Sequence, residues 1–255
     1  QVGTFPATSA QGGTLTLVNA ATGAFAYSPP AGFSGVDSFN YTIVDDNSNT
    51  STAAVHILLD GVVWFVDASN TTPPHLGTQA DPFQTLAALL GGVGDPDQPG
   101  DVVFLFNDAG TPYAGGLVLE ANQALIGEEV GLILGGITIV PAGGTPRITN
   151  AAGVGLTLAT NNSVSGVTIT GTSGAGIFGN NFGTFTATSL DVTSTGGAAL
   201  DLSNGSISGT YGTLSSTGTA GQRGINLVTI AGSLNVSTTS LTKPTTDVIL
   251  VSGSG

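Results

Sequence analysis

The chain contains no cysteine and no methionine, and only three of its 255 residues are basic. Without cysteine there are no disulfides and no thiolate metal sites. Charged residues make up 7%, far below the roughly one quarter usual in globular chains. No apolar run approaches the roughly 20 residues that a membrane-spanning helix requires, so a direct membrane span is not expected. The three bases, Arg147, Arg223 and Lys243, face sixteen acids. Thirteen of those acids lie between Asp37 and Glu129, where there is no Lys or Arg. Such a surface repels phosphate backbones, which argues against nucleic acid as a partner.

What is present is glycine, 40 residues, together with abundant Thr, Ser, Asn, Val and Ile. This composition favours short strands joined by tight turns. Low charge combined with 40% hydrophobic residues is the reverse of the disorder signature. The fold class expected is all-β. The chain opens at Gln1 and is expected to be a mature product or a segment of a longer protein.

Residues 1–59 alternate apolar and polar in TLTLV (14–18), AFAYS (24–28), DSFNYTIV (37–44) and TAAVHIL (52–58). Turn-rich pieces separate these runs, and Asp45 and Asp46 before Asn47 predict a hairpin turn. The pattern is that of antiparallel hairpins in a small β-sandwich. The run GAFAYSPPAGFSGVDSFNYTIVDDNSNTSTAAVHI resembles the second half of bacterial Ig-like, cadherin-like tandem repeats. The likeness rests on the order aromatic-Pro-Gly-Phe-x-Gly-x-Asp-x-Phe-x-Tyr. It implies a sandwich domain of a large bacterial cell-surface or extracellular protein.

Residues 60–150 read as a β-helix cap and first coils. VVWFVDA (62–68) is a buried strand candidate, and DPFQTLAALLGG (81–92) is the one predicted helix. Asp81 would cap it, Pro82 would occupy its first turn and Gly91 would end it. GDVVFLFND, GGLVLEANQALIGE and GLILGGITIV follow as strands. This order resembles the N-terminal cap of pectate-lyase-like β-helix proteins, in which a helix covers the open end of the coil stack.

Residues 151–255 repeat. Leu156, Ile177, Leu200 and Ile225 are separated by 21, 23 and 25 residues, with DVILV (247–251) as a fifth member. A second strand per coil is read in GVTIT (166–170), SLDVT (189–193), GTLSS (212–216) and SLNVS (233–237). Asn161–Asn162, Asn180–Asn181 and Asn204 recur after the first strand, as in turns whose amides bond from coil to coil. Inward L-x-L pairs at this spacing predict a right-handed parallel β-helix, the hand following from parallel crossovers.

Enzymatic chemistry finds few residues. A glycosidase needs two carboxylates roughly 5–10 Å apart, and matching positions in adjoining coils lie about 4.8 Å apart. The predicted outward rows, Thr157, Phe178, Asp201, Asn226 and Thr168, Asp191, Ser215, Asn235, hold one acid each. His56 and His75 are isolated, which supports neither a Ser-His-acid triad nor a zinc site. No catalytic or cofactor-binding residues are assigned, and the chain is not expected to be an enzyme. Asp95, Asp97 and Asp101 place three carboxylates within seven residues, and oxygen ligands of this kind suit calcium. The loop lacks EF-hand spacing, so a solvated acidic turn is the preferred reading. Phe178, Phe182, Phe185 and Tyr211 could form an exposed aromatic patch for sugar or protein contact, although stacking within the solenoid is preferred.

The sequence therefore predicts a structural or adhesive segment, a stalk, filament subunit or adhesin shaft, outside the cell or at its surface. Copies of itself or neighbouring repeats are the expected partners, with surface glycans next. A carbohydrate-binding or polysaccharide-degrading β-helix and a phage-type fibre are the alternatives.

Overall fold

The computed structural model describes the chain except residues 31–34, 60–61, 92–93, 109, 135–136, 218–222, 243–248 and 254–255. Ala31–Ser34 of the tandem-repeat motif, Lys243 and Asp247 thus lie outside the described residues. Two compact units are present, Gln1–Val62 and Val63–Gly255.

In the N-terminal unit, strands Thr14–Asn19 and Ala24–Ser28 form one antiparallel hairpin and Gly35–Val44 with Thr50–Leu59 form another. The alternation expected from the sequence is carried by Leu15 and Phe39, both buried. Phe5, Phe25 and Phe39 pack edge to face or tilted, with centroids 5.2–5.9 Å apart, the geometry that the ring quadrupole favours. Asp45 closes the second hairpin as predicted, its carboxylate accepting from the Asn47 and Asn49 amides at 2.8 Å.

Asp37 is buried, and it accepts hydrogen bonds from the Ser9 hydroxyl, the Tyr27 hydroxyl and the Gln11 and Ser38 amides. Burial pushes its pKa up, but these four donors outweigh burial and hold the carboxyl at about 2.

The second unit is a parallel β-solenoid of about six turns. Each full coil has three faces, not the two read from the sequence. The first face stacks Leu117–Val118, Leu156–Thr157 and the strands beginning at Ile177, Leu200, Ile225 and Ile249. The second stacks Val63–Val66, Val102–Leu105, Ala124–Gly127, Ser163–Ser165 and 186–188. The third stacks Tyr113–Ala114, Arg147–Thr149, Thr168–Thr170 and Asp191–Thr193. The second face escaped the repeat pattern because stretches such as SVS and GSIS bury one aliphatic residue among small polar ones.

Three further expectations change. Residues 81–92 do not form the predicted helix; a single 3-10 turn, Leu86–Ala88, is the helical element there. Phe83 instead bridges Val66 in extended conformation and donates its amide to Phe65 O. Asp81 accepts from the Asn70 side chain, and Thr85 Oγ1 caps the turn. Leu86 and Leu89 are buried in the main core, and Phe83 stacks on Trp64. Next, Leu132–Leu134 and Ile137–Val140 form an antiparallel hairpin outside the coils. With Leu132 and Val140 it covers the outward rings of Phe65 and Phe104, making a small second core. Finally, the third-face row is shifted. Asp191 pairs with Thr168, but Ser215 registers with Thr193 and Asn235 with Thr210. The register between this strand and 190–194 is irregular around Gly212, and Asp191 Oδ1 accepts the Thr213 amide there at 2.5 Å.

One corner is uniform along the stack. Asn122, Asn161, Asn181, Asn204, Thr229 and Gly253 all adopt φ between 53° and 64°. Asparagine tolerates this left-handed conformation better than most L-residues, which explains its recurrence. The expected amide contacts exist: Asn161 Nδ2 donates to Asn122 Oδ1 and Asn204 Nδ2 to Asn180 Oδ1.

Candidate functional site

The acidic loop is not the solvated turn expected. Asp97 and Asp101 are buried and Asp95 is half-buried. Asp101 accepts from the Trp64 indole N–H at 2.8 Å and from the Gln98 amide. Asp97 Oδ2 accepts from Gln123 Nε2 at 2.7 Å, while its Oδ1 is buried with no hydrogen-bond partner. Glu120 Oε2 is buried and unpartnered as well. Burial raises the Asp97 pKa; Asp95 and Asp101 add to this and Gln123 opposes it. Burial likewise raises Glu120, reinforced by Asp97, Asp95 and Asp101. Among the described residues no three His, Asp or Glu side chains are grouped to hold a metal ion. The calcium candidates Asp95, Asp97 and Asp101 are therefore not drawn together into a coordination site. Two of them fasten the loop to Trp64 and to the coil that carries Gln123.

His56 is exposed opposite Ser38, and His75 is half-buried in its loop. Among the described residues neither is hydrogen-bonded to a carboxylate. Arg147 donates to Gly110 O and so anchors that turn. Phe182, Phe185 and Tyr211 are fully buried, whereas Phe178 is 38% exposed; the four rings therefore form no common patch.

The first-face row is in register as predicted, running Thr157, Phe178, Asp201, Asn226. Beside it lies a shallow groove of about 300 Å³, walled by residues 173–175 and 196–198 and edged by Asp201, Arg223 and Asn226. The two wall segments are successive copies of one coil corner. A Cβ at Gly196 would stand 1.9 Å from Ser173 O, so glycine there is required by coil-to-coil stacking. Below the wall, buried Ser194 accepts the Gly197 amide and donates to Gly174 O, and buried Ser216 donates to Gly197 O. The polar edge is a chain of bonds across two coils. Arg223 Nη1 donates to Asn226 Oδ1 at 3.4 Å, and Asn226 Nδ2 donates to Asp201 Oδ1 at 2.7 Å. Among the described residues lining the groove, Asp201 is the one acid. The link of Arg223 to Asp201 through Asn226 forms only once the 25-residue coil between Asp201 and Asn226 is folded.

Residues 2–58 match the family model described as a bacterial Ig domain. Neither the curated proteins nor the solved structures gave a match to the chain.

Proposed function

We propose that this chain is a mechanical or adhesive segment of a bacterial extracellular or cell-surface protein, an Ig-like spacer joined to a β-solenoid that catalyses no reaction. The observation that carries this reading is the pairing of a bacterial Ig domain at residues 2–58 with a coil stack whose outward first-face row holds a single acid. Bacterial Ig domains are typical of surface and extracellular proteins. No helix among the described residues is long and apolar enough to cross a membrane.

The cadherin-like relation of the first unit and the pectate-lyase-like relation of the second belong to the same proposal. Antiparallel hairpins support the one, and a 3-10 turn over the first coils supports the other. The preferred partner is another coil, from a neighbouring repeat or from a copy of the chain. Strand Ile249–Ser252 stands at one end of the sheet order, paired on one side among the described residues, and Ile249 and Val251 are 52% and 55% exposed.

Two measurements test the proposal. Antibody labelling of intact cells should stain the outer surface, and staining only after lysis would sink the localisation. Incubation with a polysaccharide panel, with and without calcium, should release no new reducing ends; turnover would overturn the non-catalytic role.

A further inference from the structure

Phe178 is an exception in this solenoid. Phe182 and Phe185, on the same coil, are fully buried, so the fold hides its rings where it has room inside. Phe178 instead stands on the outward row, 38% exposed. It is in register with Asp201 and, one coil further, with Asn226. Neighbouring coils are about 4.8 Å apart, which brings the ring alongside the groove edged by Asp201, Asn226 and Arg223. A coil-to-coil ladder accounts for the Arg223–Asn226–Asp201 bonds. It does not account for an exposed phenyl group next to them.

We infer that this groove binds an uncharged glycan, with a pyranose ring laid on Phe178 and its hydroxyls held by Asp201, Asn226 and Arg223. The inference rests on the adhesive reading and names what is adhered to. A pyranose has an apolar C–H face that packs against an aromatic ring. Its vicinal hydroxyls each donate and accept, and they match a row that offers a carboxylate, an amide and a guanidinium side by side. The row is pre-organised: Asn226 is fixed between Arg223 and Asp201, so less side-chain entropy is lost on binding. A volume of about 300 Å³ lies at the lower limit for small-ligand sites and suits one or two sugar rings of an open-ended chain. Charge selects against acidic sugars. The guanidinium is linked to Asp201 through Asn226, and from Arg147 onward three acids meet three bases, so the groove has no surplus positive charge to attract a polyanion.

The full chain is titrated by calorimetry with cellotetraose, mannotetraose and galactotetraose, and with tetragalacturonate as the acidic arm. Saturable binding of at least one neutral tetrasaccharide is expected. Phe178→Ala and Asp201→Asn should each weaken it at least tenfold, about 1.4 kcal/mol, while Thr188→Ala, exposed on the second face, should leave it unchanged. Phe178 is on the surface, so its variant keeps the native circular dichroism spectrum and a loss of binding is not a loss of fold. Absence of saturable neutral binding, affinity indifferent to both variants, or tighter binding of tetragalacturonate would each overturn the inference. None of those results bears on the mechanical role. Release of reducing ends in the same samples would overturn the non-catalytic role and leave the binding inference standing.

Discussion

Replacing Leu200 by alanine opens a cavity in the middle of the inward column Leu156–Ile177–Leu200–Ile225–Ile249. Leu200 is 0% exposed and has aliphatic neighbours in register on both sides. A fully enclosed Leu→Ala change costs about 3–4 kcal/mol, because the transfer free energy and the residual cavity add. Ile249 belongs to the same column but is 52% exposed. Its truncation forfeits only the buried part of the side chain and closes no cavity, about 1 kcal/mol or less. The two variants should therefore differ by roughly 2–3 kcal/mol. Urea titration of the full chain at pH 7 separates them. With a slope of about 2 kcal/mol per molar, Leu200→Ala shifts the midpoint by about 1.5–2 M and Ile249→Ala by about 0.5 M or less. Trp64 is the only tryptophan and lies in the strand at the opposite end of the sheet order. Its fluorescence thus reports whether damage in a later coil is felt by the first one, as nearest-neighbour coupling in a solenoid requires. Equal costs for the two variants, or a Leu200→Ala cost below 1 kcal/mol, would refute the in-register interior column.

Three further outcomes follow from single residues. Tyr211→Phe should raise stability by about 1 kcal/mol in the same urea titration, because the Tyr211 hydroxyl is buried without a hydrogen-bond partner and its removal ends a desolvation cost. Asn161→Ala should lower stability by about 2 kcal/mol and Asn161→Gly by about half as much, since alanine meets the left-handed φ of 60° with a Cβ and glycine does not. Equal losses would mean that the side-chain bonds to Asn122 and Thr184 matter and the backbone does not. For the N-terminal unit, Asp37 titrates lower folded than unfolded. Its stabilisation is fully present above the ordinary carboxyl value of 3.8 and is lost as pH falls toward about 2. Calorimetric melting of the full chain between pH 5 and pH 2 (values chosen to bracket that window) should show the N-terminal unit's transition falling in Asp37-intact protein. The fall should be smaller in Asp37→Asn, and parallel curves for the two proteins would refute the assignment.

The hairpins of the first unit and the first-face rows of the solenoid were legible in the chain, because both rest on local alternation. Leu156, Ile177, Leu200 and Ile225 recur at near-coil spacing whether or not the chain is folded. The second face was not legible, since its inward residues Val164, Ala187 and Ile207 are scattered among Ser, Thr and Gly that other contexts would place in turns. The helix expected at 81–92 failed for a tertiary reason: burying Phe83 against Trp64 and bridging Val66 outweighs the weak preference of LAALL for helix. Asp97 looked like a solvated loop acid because its partner, Gln123, is 26 residues away. The groove was half visible. The row Phe178, Asp201, Asn226 could be aligned by spacing, but its walls come from corners that only stacking brings together.

Composition and repeat spacing by themselves determined an all-β chain and the coil period, while the Ig-like beginning came from the resemblance of the run around Asp37 to bacterial tandem repeats. Those properties are set residue by residue, by alternation and by what the chain lacks. Tertiary structure alone decided the three faces, the buried acids, the hairpin over Phe65 and Phe104, and the side chains that meet across the groove. Each of these depends on contacts between segments far apart in the chain, which local alternation does not encode.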